Sequence, residues 1–290
     1  MKSFIKFIVF SNLFVAICVV AFTHSTYIVH NLPSKNLAIV LTMVFCFTFF
    51  TYNIQRFIKF KKKLSNSNII GNRLKWIAAQ KNNLTILSVI AGIIGLGCTY
   101  YIHLKSFIIL IPMGILSFFY VIPIIPFYKK SPTLREIPYL KIFVIAFVWS
   151  LIIVLLPLID SNSGSTFNWN EILLALLQNF CFVIAITLPF DIRDIDYDNS
   201  SKLKTIPRYL GVTKTIILAE FLLIGAIVFL YNSNVAAKHF YGLLIGYIIT
   251  MIVIAFSKKE RSELFFAGLI EGLILVLYGC VLISEYCFSL

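Results

Sequence analysis

Apolar runs of about twenty residues recur along this chain, and nothing else in it constrains the fold as strongly. They cover residues 5–21, 37–57, 84–101, 107–125, 140–159, 172–190, 213–231, 240–256 and 264–287. Each is close to the ~20 residues a helix needs to cross a hydrocarbon core of about 30 Å. None alternates apolar and polar residues with period two, which excludes a transmembrane β-barrel. A mean hydropathy of +0.93 leaves more apolar surface than one soluble core could hide. The expected fold is therefore an all-α polytopic membrane protein, a bundle of nine transmembrane helices forming a single domain over residues 1–290.

Charge fixes the expected orientation. Nine spans put 22 of the 25 lysines and arginines on one side and leave only Lys35, Lys105 and Lys238 on the other. The positive-inside rule then predicts a cytoplasmic N-terminus, an external C-terminus and residence in the cell membrane. The net charge of +13 is assigned to these loops and to anionic lipid, with no nucleic acid as partner. Lys2 and Lys6 precede an apolar core as in a signal peptide. No small-x-small cleavage site follows at 21–25, so a retained helix is expected. Six cysteines sit scattered in apolar segments without a C-x-x-C pair and read as small buried hydrophobes. Four scattered histidines show no metal-ligand spacing.

Four of the chain's five aspartates fall between Asp191 and Asp198, where the sixth apolar run ends and Lys202, Lys204 and Arg208 begin. On a helix, Asp191, Asp194 and Asp198 share one face and Asp196 points away. Like charges on one stripe repel unless something positive sits among them. Mg²⁺ takes oxygen ligands and is commonly bound by a few carboxylates together with substrate phosphates. The stripe thus reads as a Mg²⁺–diphosphate platform at a membrane surface; the alternative is an acidic, solvated helix end. Two further basic stretches, Arg56 to Lys81 and Lys129 to Lys141, bring cations to the same side. Each would also be explained by topology and lipid contact alone.

The order of these parts resembles the UbiA superfamily of intramembrane prenyltransferases. Asp191-x-x-Asp194-x-x-x-Asp198, followed by Lys204-Thr205-Ile206-Pro207 and Leu210-Gly211, looks like the second aspartate-rich motif of that family. Tyr120, the stretch Arg135…Pro138-Tyr139…Lys141 and the nine expected spans add to the likeness. The first family motif, N-x-x-x-D-x-x-x-D, is altered: Asn53 is present, but Phe57 and Lys61 stand where the aspartates belong.

The resemblance implies Mg²⁺-dependent transfer of a prenyl group from a polyprenyl diphosphate to a lipophilic acceptor, often aromatic, inside the bilayer. It implies Asp191, Asp194 and Asp198 as the catalytic, metal-holding carboxylates, with one Mg²⁺ rather than two. Asn53, Arg56, Lys61, Lys129, Arg135, Lys141, Arg193 and Lys204 are the expected diphosphate contacts, since ammonium and guanidinium groups bind phosphate directly. Tyr120 and Glu271 are the expected prenyl or acceptor contacts. The altered first motif leaves a second reading, a lipid-diphosphate binder without turnover. Glu220 and Glu271, carboxyls inside apolar spans, leave a third, a proton-coupled transporter, weakened by the lack of a visible inverted repeat.

Overall fold

The computed structural model describes residues 2–33, 35–64, 72–123, 132–161, 168–200 and 203–287. All regular structure among them is helical. A short helix α1 (Lys2–Phe10) is followed by α2 (Leu13–Val29), α3 (Leu37–Leu64), α4 (Asn72–Ala79), α5 (Lys81–Thr99) and α6 (Leu104–Phe119). Helix α7 (Leu140–Ser150) runs through a π turn, Leu151–Leu155, into α8 (Leu156–Ser161). Next come α9 (Trp169–Arg193), α10 (Ile195–Ser200), α11 (Ile206–Tyr231) and α12 (Ala237–Ala255). A second π turn, Phe265–Ile270, leads into α13 (Glu271–Cys287).

Among the described residues, seven helices are long and apolar enough to span a bilayer: Leu37–Ile58, Lys81–Thr99, Leu140–Ser161, Trp169–Arg193, Ile206–Tyr231, Ala237–Ala255 and Phe265–Cys287. The first and fourth expected spans fall on shorter apolar helices, Leu13–Val29 and Leu104–Phe119. By length alone these two do not count with the seven.

The run expected at 5–21 is not one helix. Asn12 adopts a left-handed backbone, φ 64°, which asparagine tolerates better than most residues because its short side chain can bond locally. The chain turns there, and the apolar helix is displaced to Leu13–Val29. Asn12 is buried, and its Nδ2 donates to Asn53 Oδ1 on α3 over 2.8 Å.

Helix α9 is the hub. Phe182 meets Phe22 of α2 edge-on at 5.3 Å and leans on Tyr247 of α12 at 5.5 Å. Gln178 Nε2 donates to Tyr247 Oη over 2.8 Å, so two polar groups in the apolar interior satisfy each other. Side chains on the far sides of α5, α6 and α11, such as Ile93, Ile108 and Phe221, are exposed and suit contact with lipid tails.

Two features close the bundle. Helices α12 and α13 approach through Gly242 and Gly246. A Cβ on Gly242 would lie 2.6 Å from Ser284 Oγ and 2.9 Å from the Cys280 carbonyl, and one on Gly246 would collide with Leu277. Small residues allow this closeness, which packs helices without a hydrophobic drive between them. At the end opposite the aspartates, buried Asp160 accepts from Asn36 Nδ2 (3.1 Å), the His103 amide (3.0 Å) and Ser106 Oγ (3.2 Å). It ties α8 to the start of α6 and of α3.

Candidate functional site

The aspartates lie where α9 hands over to α10. Asp194 caps the end of α9 with φ −88° and ψ 4°. The Asp198 amide still donates to the Asp194 carbonyl over 2.9 Å, so the two helices join almost in line. The segment before α7 folds over this junction. There Thr133 and Glu136 form a capping box, with the Thr133 amide donating to Glu136 Oε2 over 2.9 Å. Tyr139 takes a left-handed backbone, φ 62°, and its amide donates to the Lys204 carbonyl over 3.1 Å. That bond fastens the α7 approach to the α11 approach and forms a cleft between them.

The cleft is lined by Arg135, Lys141, Asp191, Asp198, Lys204 and Thr205, among others. It encloses about 360 Å³ up to its mouth. Lys141 Nζ is paired with Asp191 Oδ1, and that carboxylate is almost wholly buried. Asp198 is 1 % exposed, and its Oδ2 has no hydrogen-bond partner. Thr205 Oγ1 faces it, buried and likewise outside hydrogen-bond geometry.

The expected carboxylate stripe is parted. Asp191 and Asp198 reach the cleft. Asp194 turns aside and takes Arg193 in a fork, Nε to Oδ1 at 2.9 Å and Nη2 to Oδ2 at 3.2 Å. The same guanidinium lies over the rings of Phe190 (5.3 Å) and Phe266 (5.7 Å), a cation–π sandwich between α9 and the turn before α13. Local pairing thus overrides face-sharing for Asp194. Asp196 points to solvent, 3.6 Å from Lys259.

The two acids outside the spans titrate in opposite directions. Burial pushes Asp198 above the usual carboxylate range; Lys141 opposes this, while Asp191 and Asp194 add to it. Burial would also raise Asp194, but the charge and hydrogen bonds of Arg193, helped by Lys141 and Arg135, hold it below that range.

The remaining expected site residues divide into three groups. Arg135, Lys141 and Lys204 line the cleft. Tyr120, buried at the end of α6, lies within electrostatic reach of Arg135, Lys141, Asp191 and Asp194. Asn53 is buried away from the cleft lining; it accepts from Asn12 and donates to the Phe49 carbonyl over 3.0 Å. Arg56 sits one turn beyond Asn53, close to Tyr52. Glu271 stands within reach of Cys18, Tyr52 and Arg193. The side chain of Lys61 and all of Lys129 lie outside the described residues. Tyr139 and Thr205 at the cleft, and Asn12 against Asn53, were not among the expected site residues. The T-L-R-E capping box and a lone asparagine inside an apolar run were the available signals.

A hard dication can be tested against this geometry. No three His, Cys, Asp or Glu side chains among the described residues stand close enough to hold one by themselves. The unpaired, buried Asp198 Oδ2 beside Asp191 is nevertheless an oxygen that lacks a partner. Mg²⁺ commonly binds through one or two carboxylates and completes its shell with substrate phosphates and water. The cleft fits that mode and no all-protein cage.

Comparison with known proteins agrees with this picture. The family model described as the UbiA prenyltransferase family matches residues 78–266, more than half of the chain. No curated protein sequence matches. Among solved structures, a UbiA homolog from Archaeoglobus fulgidus bound to GPP and Mg²⁺ superposes with a TM-score of 0.67 at 12% identity, covering 96% of this chain and 99% of that one. An apo UbiA homolog from Aeropyrum pernix K1 gives 0.67 at 13% identity, covering 95% and 98%. At such identities the likeness speaks for the fold alone.

Proposed function

We propose, from the premise that this chain belongs to the UbiA prenyltransferase family, that it transfers a prenyl group from a prenyl diphosphate to an acceptor within the membrane. One observation carries the reading. A buried Lys141–Asp191 pair and the partnerless Asp198 oxygen share one cleft with Arg135 and Lys204. An apolar bundle has little reason to bury such groups unless a ligand completes them.

In this reading Lys141, Arg135 and Lys204 bind the diphosphate oxygens. Charge develops on the diphosphate as the carbon–oxygen bond breaks, and fixed cations aimed there lower the barrier. Asp191 and Asp198 would hold one Mg²⁺, which when bound neutralises charge on the leaving diphosphate. A solved homolog is bound to GPP and Mg²⁺, which supports both the substrate class and the metal. A single ion is inferred because Phe57 and Lys61 replace the carboxylates of the first motif. Tyr120, buried beside the cleft, shields the allylic cation from water. The chain works as one unit with its N-terminus in the cytoplasm, as the distribution of basic residues supports.

The test is release of diphosphate from geranyl diphosphate and longer homologues by protein purified in nanodiscs, with and without Mg²⁺. Mg²⁺-dependent release, lost in Asp191→Asn, is the expected result. Folded protein that binds the diphosphate without any turnover would replace this reading with a second one. That second reading, a non-catalytic lipid-diphosphate binder, is favoured by Phe57 and Lys61; under it, F57D with K61D creates turnover.

A further inference from the structure

We propose that Glu271 selects the acceptor as an uncharged, hydroxyl-bearing aromatic and receives its proton. The proposal rests on the prenyl-transfer reading and names what that reading leaves open.

Glu271 lies within the membrane-spanning stretch Phe265–Cys287. A carboxyl there costs about 2.5–3.5 kcal/mol to insert, judged from aspartate, so its position needs an explanation. The π turn Phe265–Ile270 ends immediately before it. Such turns re-aim side chains and recur at functional sites. Ala267, Ile270 and Ile274, on the same inward face, are each at most 1 % exposed, so Glu271 is turned into the bundle. The adjacent backbone rests on α2: a Cβ on Gly272 would lie 3.5 Å from Phe14 Cζ. Phe266, five residues earlier, meets Phe190 of α9 at 6.2 Å.

A continuous wall runs from the cleft to this carboxyl. Tyr120 reaches Lys141 and Asp191 at one end. Tyr52 reaches Tyr120 and Glu271, and its ring stands 6.4 Å from Trp149. Aromatic rings therefore flank the space between the diphosphate end and Glu271, which suits a flat acceptor. Arg193, the cation nearest that inner end, is already forked onto Asp194. Arg56 lies a turn nearer the diphosphate end. A second anion beside Glu271 would meet an uncompensated like charge at low dielectric, and such repulsion is an efficient way to reject a wrong partner. A neutral hydroxyl instead donates to the carboxylate.

The step balances as follows. The bond between prenyl C1 and the bridging oxygen breaks, and its electron pair leaves on the diphosphate. A ring carbon beside the hydroxyl supplies the pair for the new carbon–carbon bond. The hydroxyl proton passes to Glu271. The ring hydrogen at the alkylated carbon returns to the oxygen as aromaticity is restored, so one proton is released overall. Glu220 has no place in this scheme: it lies on α11, with Oε1 buried and unpartnered.

The experiment compares 2-naphthol with 6-hydroxy-2-naphthoate, which differ by one carboxylate. Transfer from geranyl diphosphate with Mg²⁺ and direct calorimetric binding of each naphthol are measured for wild type, Glu271→Gln, Glu271→Asp and the control Glu220→Gln. Wild type is expected to favour 2-naphthol by tenfold or more. Glu271→Gln should cut transfer to it about 100-fold and erase the preference. Glu271→Asp should recover part of both, and Glu220→Gln should behave as wild type. Geranyl diphosphate binding should be unchanged throughout. A wild-type preference for the carboxylate, or full transfer and selectivity in Glu271→Gln, overturns the proposal, as does a wild type that binds neither naphthol. If geranyl diphosphate is neither bound nor cleaved, yet 2-naphthol binding is lost in Glu271→Gln, prenyl transfer fails and the acceptor site stands.

Discussion

Asp160 and Asp191 are equally buried, each about 2 % exposed, yet they sit at opposite ends of the bundle in opposite chemical situations. Asp160 is surrounded by three neutral donors from two other parts of the chain. Its charge is spread over hydrogen bonds that also cap a helix start, and nothing remains for a ligand to supply. Asp191 is matched by one cation, and beside it Asp198 keeps an oxygen that nothing in the protein satisfies. Burial alone therefore does not separate a structural acid from a functional one. The separation lies in whether the protein itself completes the hydrogen-bond shell.

The largest expected effect falls on the incomplete end. Asp191→Asn should slow diphosphate release about 10³-fold, or roughly 4 kcal/mol of transition-state stabilisation, while circular dichroism and the melting temperature change little. A large loss of folded protein would instead make Asp191 structural and erase the contrast. Next in size, Asp160→Ala strands three donors and should cost about 3 kcal/mol of stability. Thermal unfolding in nanodiscs reads this as a lower midpoint, with turnover per folded molecule unchanged.

A smaller effect sharpens the same contrast inside the bundle. Asn12→Ala removes a satisfied amide pair and a residue suited to the left-handed turn. It should cost about 1–2 kcal/mol by the same unfolding measurement. Asn12→Gly keeps the backbone turn and should cost less.

The smallest effects are opposite in sign. The raised Asp198 carboxyl means that the folded state binds the extra proton first. Its stabilising contribution is complete below the ordinary carboxylate value of about 4 and is lost as pH rises through the raised value. Asp198→Asn should therefore be slightly more stable than wild type at pH 7. Asp194, held low by Arg193, stabilises the fold above about pH 4, and this contribution is lost as pH falls through its depressed value. Asp194→Asn should lose up to about 1 kcal/mol at neutral pH, since the pair is partly solvated, and match wild type in acid. Parallel pH–stability curves for the two variants would contradict these environments.

How much of this could be read beforehand depended on the range of the forces involved. Apolar runs report the bilayer, an environment common to the whole chain, so the helices appear close to where hydropathy places them. The break at Asn12 was hidden because one polar residue barely lowers a twenty-residue average. Its meaning came from Asn53, 41 residues away. Helical spacing put Asp191, Asp194 and Asp198 on one face, and Asp191 and Asp198 do share the cleft. Asp194 escaped the pattern because its neighbour Arg193 is pinned between Phe190 and Phe266, and Phe266 belongs to a distant segment. The Tyr139 amide bond to Lys204, which fastens the cleft, is likewise invisible to any local rule.

The glycine contact between α12 and α13 has a bearing on traffic. With Gly242 and Gly246 bringing one helix onto the backbone of the other, a long hydrocarbon chain cannot slip sideways between them unless a whole helix moves. That wall acts as a hinge post and never as a doorway, so a greasy product must leave the enclosure on another side.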